Sequence, residues 1–316
     1  MTDEEEYLIS YANIKSNLFK KQKQFVSSRE IKKFYKNEFL GIPQCLPINI
    51  KFFDYSKAKT FKIDTLEFSK NIFKTKNLNY IGIKKFFRYG NIFATNVVLK
   101  KKYEKKYNFY IKNISNLKRK IKILNKQNKK ICSMQIRNVP HFGHEAVFQF
   151  LLNNFDLLVL NPIFGLKKKN DFKDKTIKTA LKFIEKKYKK IKFLPIYSNF
   201  YYGGPREAMH HLNMREQLGF NHFYIGRDHA GAENLYHPFA AIKRSTKFKN
   251  KFKISQISSR GGGYCKMCDK YLIKNSCIHD TFIDISGSEF RSFLSKNKVY
   301  KHANKKLQKI LFKNNL

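Results

Sequence analysis

The chain has 316 residues, 42% of them hydrophobic, and 65 Lys and Arg against 23 Asp and Glu, for a formal charge of +42. That apolar content supports a sizeable core and excludes wholesale disorder; the length is that of about two domains. The charge attracts polyanions at long range, yet 55 Lys stand against ten Arg among abundant Asn, Ile, Phe and Tyr, a bias that A/T-rich codons share, so charge alone is weak evidence for nucleic-acid binding.

The first residues, MTDEEE, lack the basic n-region and apolar h-region of a signal peptide. Residues 1–130 read as a separate module, with strands at 48–53 and 92–99 and a charged, helical or partly extended connector at 100–130. The Lys runs at 101–106 and 186–192 read as solvated faces. From residue 131 the pattern changes. All nine His lie at or beyond His141, eleven of fourteen Gly lie between Gly143 and Gly287, and seven of ten Arg lie at or after Arg137. An Arg kept in a Lys-rich chain points to a site needing a planar fork of donors.

Strands are expected at 131–136, 156–162, 192–197, 221–225 and 252–257, with helices at 145–153, 175–189 and 205–218. Pro205 opens the last helix and Gly219 closes it. The alternation predicts a parallel α/β sheet with ligands at the carboxyl ends of its strands. The stretch 148–166 is broken by Asn153, Asn154, Asp156 and Asn161, which excludes a membrane span of about 20 apolar residues. Five Cys do not make a disulfide framework. The expected setting is soluble, reducing and cytoplasmic.

Five segments carry candidate chemistry. Residues 135–145 (QIRNVPHFGHE) place Gln135, Arg137, Asn138, His141 and His144 where a strand turns into a helix. Two His three apart at a helix N-terminus can face a phosphate chain, and Gly143 leaves room for a close backbone approach; the plainer alternative is a turn with two incidental His. Residues 203–208 (GGPREA), with His210, His211 and Arg215, place basic groups at i,i+4 spacing; alone they read as a helix cap with a surface charge pair. Residues 226–231 (GRDHAG) follow an apolar strand and form an anion cradle. Cys265-x2-Cys268-x8-Cys277-Ile278-His279 has the donor set of a closed, structural tetrahedral zinc site, with unligated buried Cys as the alternative. Residues 285–291 (ISGSEFR) start a helix on Ser286 or Ser288 with Arg291 one turn on, which serves a cap or a phosphate equally well.

In this order and spacing, the segments resemble the ATP sulfurylase (sulfate adenylyltransferase) family of nucleotidylyltransferases. The family pattern Gln-Thr-Arg-Asn-x-x-His-x-x-His-Glu matches 135–145 except at Ile136, which stands where the family has Thr. Gly-Pro-Arg-Glu-Ala matches 204–208, Gly-Arg-Asp-His-Ala-Gly matches 226–231, and Ser-Gly-Thr-x-x-Arg corresponds to 286–291. Prokaryotic members also carry a Cys/His zinc loop before that last segment. The resemblance covers about 131–295. It implies a Rossmann-like catalytic domain there with a zinc loop at 264–280, a diverged PUA-like β-rich domain over 1–130, and a basic helical tail at 296–316.

It also implies the reaction ATP + sulfate ⇌ adenylyl sulfate + pyrophosphate by in-line attack on the α-phosphorus, in sulfate activation or reversed in sulfur oxidation. Carried over by position, Gln135 and Arg137 hold sulfate and the α-phosphate region, and Asn138 bonds the phosphates. His141 and His144 stabilise the departing pyrophosphate. Gly226, Arg227, Asp228 and His229 bind the nucleotide, while Arg227 and the Ala230 N–H take sulfate. Mg²⁺ enters with ATP, Cys265, Cys268, Cys277 and His279 hold Zn²⁺, and the chain is expected to be a homo-oligomer. No P-loop follows Arg291, so a fused adenylyl-sulfate kinase is not expected. Ile136 removes a hydroxyl that, if it donates in the transition state, is worth about 10²–10³ in rate. Two other readings stand beside this one: an inactive or re-purposed homologue, motivated by Ile136, and a basic zinc-containing RNA-binding protein, motivated by charge and 16% aromatics.

Overall fold

The computed structural model describes residues 2–168, 171–274 and 276–313. Its centre is a five-stranded, all-parallel sheet. The strands are β1 (Ile131–Met134), β2 (Leu157–Leu160), β3 (Ile191–Phe193), β4 (His222–Ile225) and β5 (Ser255–Ser258), in spatial order β5-β4-β1-β2-β3. β1 and β2 are buried at every position, as expected of strands covered on both faces. Alternate side chains divide between two cores. Cys132, Met134, Leu158, Leu160, Ile191 and Tyr224 belong to one, with residues of helices α3 (Phe142–Leu152) and α4 (Asp174–Lys187). Ile131, Leu157, Val159, Phe223 and Ile225 belong to the other, with residues of α5 (Gly204–Leu218) and α6 (Ala240–Lys247). All five expected strands of this sheet form, with boundaries shifted by a few residues.

The expected strand at 192–197 is broken by Pro195, which cannot donate to a ladder. Its second half, Ile196–Tyr197, pairs instead with Ile163–Phe164 in a separate two-stranded sheet. In the N-terminal part, the strand expected at 48–53 is two short strands, Leu46–Pro47 and Phe53–Asp54, flanking a turn at left-handed Asn49 (φ 68°). The one expected at 92–99 is interrupted at Asn96 (φ 57°) in the same way. Asn tolerates this conformation because its short polar side chain bonds locally. Most of the connector is helical, in Glu104–Asn125.

Residues before 131 share a core with the sheet rather than standing apart from it. Helices α1 (Glu5–Lys15) and α2 (Glu104–Asn125) contribute Leu8, Ile9, Ala12, Ile14, Tyr110, Ile114 and Ile121 to the α5 side. Asn13 donates to the Tyr197 carbonyl (3.1 Å) and Asn199 to the Glu6 carbonyl (3.1 Å). At the other end, β6 (Gly262–Cys265) pairs antiparallel with both β7 (Lys270–Ile273) and β8 (Phe282–Asp284). Helix α7 (Gly287–Ser295) follows, and α8 (Lys305–Lys313) buries Leu307 and Leu311 in the α3/α4 core. Among the described residues, no helix is long and apolar enough to cross a membrane.

Candidate active site

From β1 the chain winds outward through β2 and β3, then returns to lay β4 and β5 on the other side of β1. β1 and β4 are therefore neighbours whose following loops diverge, the switch point at which open α/β sheets bind ligands. A cleft of about 250 Å³ opens there. Gln135, Ile136, Arg137, Asn138, His141 and His144 line it from the β1 loop, and Gly226, Arg227, Asp228, His229 and Ala230 from the β4 loop. The eleven non-metal site residues expected from the sequence thus meet in one place.

Arg137 lies at the cleft with its side chain 21% exposed. Its Nη1 donates to the Gly231 carbonyl (3.3 Å), its Nε lies 3.9 Å from Asp171 Oδ2, and the guanidinium sits 5.9 Å from the Tyr202 ring centre. Asn138 accepts from Arg291 Nη1 through Oδ1 (2.5 Å), and its amide lies where a Cβ on Gly287 would be only 2.8 Å away. Of the two uses read from its sequence the segment shows the cap, Ser286 on α7, while Gly287 and Arg291 pack against Asn138. Ile136 is 3% exposed and shares an apolar cluster with Tyr224 and Ile285.

His141 and His144 stand at the N-terminus of α3 with ring centres 3.9 Å apart. The His141 N–H donates to His144 Nδ1 (3.4 Å), which leaves the His144 proton on Nε2. Burial drives His141 well below the ordinary histidine range, with His144 and His302 adding to it, and burial lowers His144 to about 4. Both rings are thus neutral at pH 7 and act on an anion through N–H donation and the helix terminus rather than as cations. Among the described residues, His141 Nδ1 and Gln135 Oε1 have no hydrogen-bond partner, so both are free to bond a ligand or water.

These histidines set a pH dependence. The unfolded chain takes up protons as pH falls through about 6.5, while folded His144 resists until about 4 and His210 until about 3. Between those limits the unfolded state binds more protons, so stability must fall as pH falls from about 6.5 toward 4. Urea midpoints at pH 7, 6 and 5 are expected to decrease in that order; a flat series would refute the neutral assignment.

The GGPREA segment departs from its sequence reading, since its basic groups are not on the surface. Arg206 and Arg215 are buried, with Nη2 atoms donating to the Phe34 carbonyl (2.9 Å) and the Asn161 carbonyl (3.2 Å). Burial lowers each guanidinium to about 9. They tie α5 to its surroundings, and Glu207 is the α5 residue that lines the cleft. Phe200, Tyr202 and Asp284, which sequence reasoning did not single out, also line it, as does Arg260 at the head of the Arg-Gly-Gly-Gly run before the zinc loop. Asp284 pairs with Arg227 (2.6 Å) at the rim, where both side chains are exposed by more than a third, so the pair is weak and an incoming oxyanion can replace the carboxylate.

Cys265, Cys268, Cys277 and His279 converge on the β6–β7 turn and the return segment, with donor atoms all within 4.8 Å of one another. His279 Nδ1 lies 3.6 Å from Cys265 Sγ and 3.2 Å from Cys268 Sγ. Four donors around Zn²⁺ at about 2.0–2.3 Å have mutual separations of roughly 3.3–3.8 Å, so the cluster fits a tetrahedral ion. From this knuckle β6 runs back to the cleft. A Cβ on Gly262 would lie 2.1 Å from the Gly143 carbonyl oxygen, and one on Gly143 2.7 Å from that of Gly262. The close approach that Gly143 permits is therefore to the backbone of β6.

An open parallel sheet with a donor-rich cleft at its switch point is a doubly wound α/β architecture, consistent with a Rossmann-like nucleotidyltransferase domain. The ATP-sulfurylase family model matches residues 111–303, and the chain belongs to that family. It is 33% identical over 236 residues to the sulfate adenylyltransferase of Pyrococcus abyssi, covering 73% of this chain and 62% of the relative. It is 34% identical over 239 residues to that of Ignicoccus hospitalis, covering 72% and 60%. The chain thus spans about three fifths of the length of these relatives. A solved structure described as a hexameric APS kinase from Thiobacillus denitrificans has the same fold, with a TM-score of 0.61 at 10% identity over 98% of this chain and 61% of that one.

Proposed function

We propose that this chain transfers the adenylyl group between ATP and sulfate, releasing or consuming pyrophosphate. The observation that carries the reading is the meeting of the β1 and β4 loops in one cleft rich in anion donors. An in-line displacement at phosphorus needs positioning and charge stabilisation rather than a nucleophile on the protein, and this cleft supplies donors. Arg137 holds the α-phosphate and sulfate with Gln135, Asn138 holds the phosphates, and the two neutral histidines donate to the departing pyrophosphate. Arg227 and the Ala230 N–H take sulfate, while Gly226, Asp228 and His229 face the nucleoside. The carboxylates lining the cleft are few, namely Glu207, Asp228 and the Arg227-paired Asp284. That suits a Mg²⁺ ion carried mainly by the ATP phosphates. A structural Zn²⁺ on the four-donor cluster, self-association and a cytoplasmic setting belong to the same proposal.

The test is ATP formation from adenylyl sulfate and pyrophosphate, run with the parent chain and with Ile136→Thr. Because Ile136 is packed in the apolar core, we expect an active parent, a variant within about threefold of its rate, and about 1–2 kcal/mol lost stability from the missing methyl and the buried hydroxyl. A silent parent rescued by Ile136→Thr would instead mark a disabled enzyme on an intact scaffold.

A further inference from the structure

We propose that Glu207 and His211 form a buried relay that fixes His229 as a hydrogen-bond acceptor toward the cleft. His229 Nδ1 then reads a donor on the nucleoside, a ribose hydroxyl or the adenine amino group, rather than a phosphate. The ligand rests on the adenylyl-transfer reading; the relay itself rests on geometry alone.

Glu207 and His211 are fully buried on successive turns of α5. Glu207 Oε1 accepts from the Tyr201 N–H (3.0 Å) and Oε2 from the Gly203 N–H (2.9 Å). Both oxygens thus act as acceptors, as a carboxylate's do. Oε1 also lies 3.5 Å from His211 Nε2, close enough for charge attraction but not a formed hydrogen bond, and among the described residues that nitrogen has no hydrogen-bond partner. A carboxylate there favours the His211 proton on Nε2. His211 Nδ1 is then a bare acceptor, and it lies 3.0 Å from His229 Nε2. His229 must supply the proton for that bond, so its own Nδ1 is left unprotonated. With Nε2 engaged inward, Nδ1 is the ring nitrogen His229 has to offer the cleft it lines.

The surroundings keep both rings neutral, as the relay demands. Burial lowers His211 and His229 well below the ordinary range, and Arg215 and Arg137 act on both in the same direction. Burial pushes the Glu207 carboxyl above its ordinary range; the Tyr201 and Gly203 N–H groups, and then His210 and Lys85, oppose that push and favour the ionised form. The opposite arrangement, with the proton on Glu207, reverses each bond in turn and places a donor at His229 Nδ1. Glu207 and His211 are therefore positioning residues, and what they set is the polarity of a third side chain.

Long-range ¹H–¹⁵N spectra of the ¹⁵N-histidine-labelled full chain, with His229 assigned through His229→Asn, read the tautomer directly. We expect His229 protonated at Nε2 in the parent. Glu207→Gln replaces one of the two acceptor oxygens with a donor; with the amide nitrogen turned to His211 it donates there, and the His229 proton should move to Nδ1. The KM for ATP should then rise about 5–10-fold with kcat little changed, as for loss of one hydrogen bond made equally in ground and transition states. His211→Leu severs the relay, so the same KM rise is expected without a single His229 tautomer. With 2′-deoxy-ATP, 3′-deoxy-ATP or inosine triphosphate, whichever lacks the group that is read, the KM difference between parent and Glu207→Gln should vanish. Protonation at Nδ1 in the parent overturns the proposal, as do unchanged tautomer and KM in both variants, or a KM difference that persists with all three analogues. The parent spectrum requires neither a variant to fold nor turnover. A chain silent in the ATP assay yet protonated at Nε2 would sink the catalytic reading and leave the relay standing.

Discussion

Arg137→Ala is expected to fold normally and to make ATP from adenylyl sulfate and pyrophosphate at least 10²–10³-fold more slowly than the parent, the scale of losing one donor aimed at developing charge. The side chain is held on one side by the Gly231 carbonyl and by Asp171, over the face of Tyr202. Its remaining N–H groups are the planar fork that the cleft presents to an oxyanion. Truncation leaves the fold little changed, because Asp171 keeps the nearby charge of Arg291. The loss should appear in kcat/KM with an unchanged thermal midpoint. Arg137→Lys should rescue little, since a point charge on a flexible stem cannot restore two parallel hydrogen bonds. Activity within about threefold of the parent in Arg137→Ala would remove Arg137 from the reaction and, with it, the main support for the arrangement proposed here.

The sheet and the cleft were legible in the sequence for different reasons. β1 and β2 read as strands because burial on both faces demands continuous apolar runs, and β4 because HFYI stops at a Gly-rich turn. The clusters at strand ends were each legible as anion-binding candidates, but it was the family resemblance that joined them into one site. Pairing of Ile196–Tyr197 with Ile163–Phe164 was hidden, since a two-residue parallel bridge carries no periodicity of its own. The burial of Arg206 and Arg215 was hidden too. An i,i+4 pattern of cations looks the same whether it faces water or a buried backbone carbonyl. Glu207 was passed over because a lone Glu inside a helix start reads as a favourable dipole partner; what distinguishes it is the pair of backbone N–H groups that chain folding brings to its oxygens. The shared core of residues 1–130 with the sheet depends on contacts such as Asn13 with Tyr197, nearly two hundred residues apart, which no local signal records.

Removing metal from the Cys265–His279 cluster is expected to act at two distances. Locally, four ligands on a chain segment with little apolar core of its own depend on the ion for their arrangement, as small zinc modules do. Chelation, or Cys268→Ser, should therefore cost about 3 kcal/mol or more, which lowers the thermal midpoint by roughly 4–5 °C or more in a chain of this size. At longer range, β6 carries Gly262 from the knuckle to within van der Waals reach of Gly143 at the N-terminus of α3, where His141 and His144 stand. The same segment brings Arg260 and Gly261 to the cleft, and β8 brings Asp284 to Arg227. A relaxed knuckle loosens that contact, so the metal-free chain should lose catalytic efficiency even at temperatures where it stays folded, and added zinc should restore it. The checks are stoichiometric zinc by metal analysis of the purified chain, thermal unfolding with and without a chelator, and the ATP-forming assay on the same samples. A chain that carries no zinc and whose midpoint ignores the chelator would reduce the cluster to unligated thiols, and the link from knuckle to cleft would fall with it.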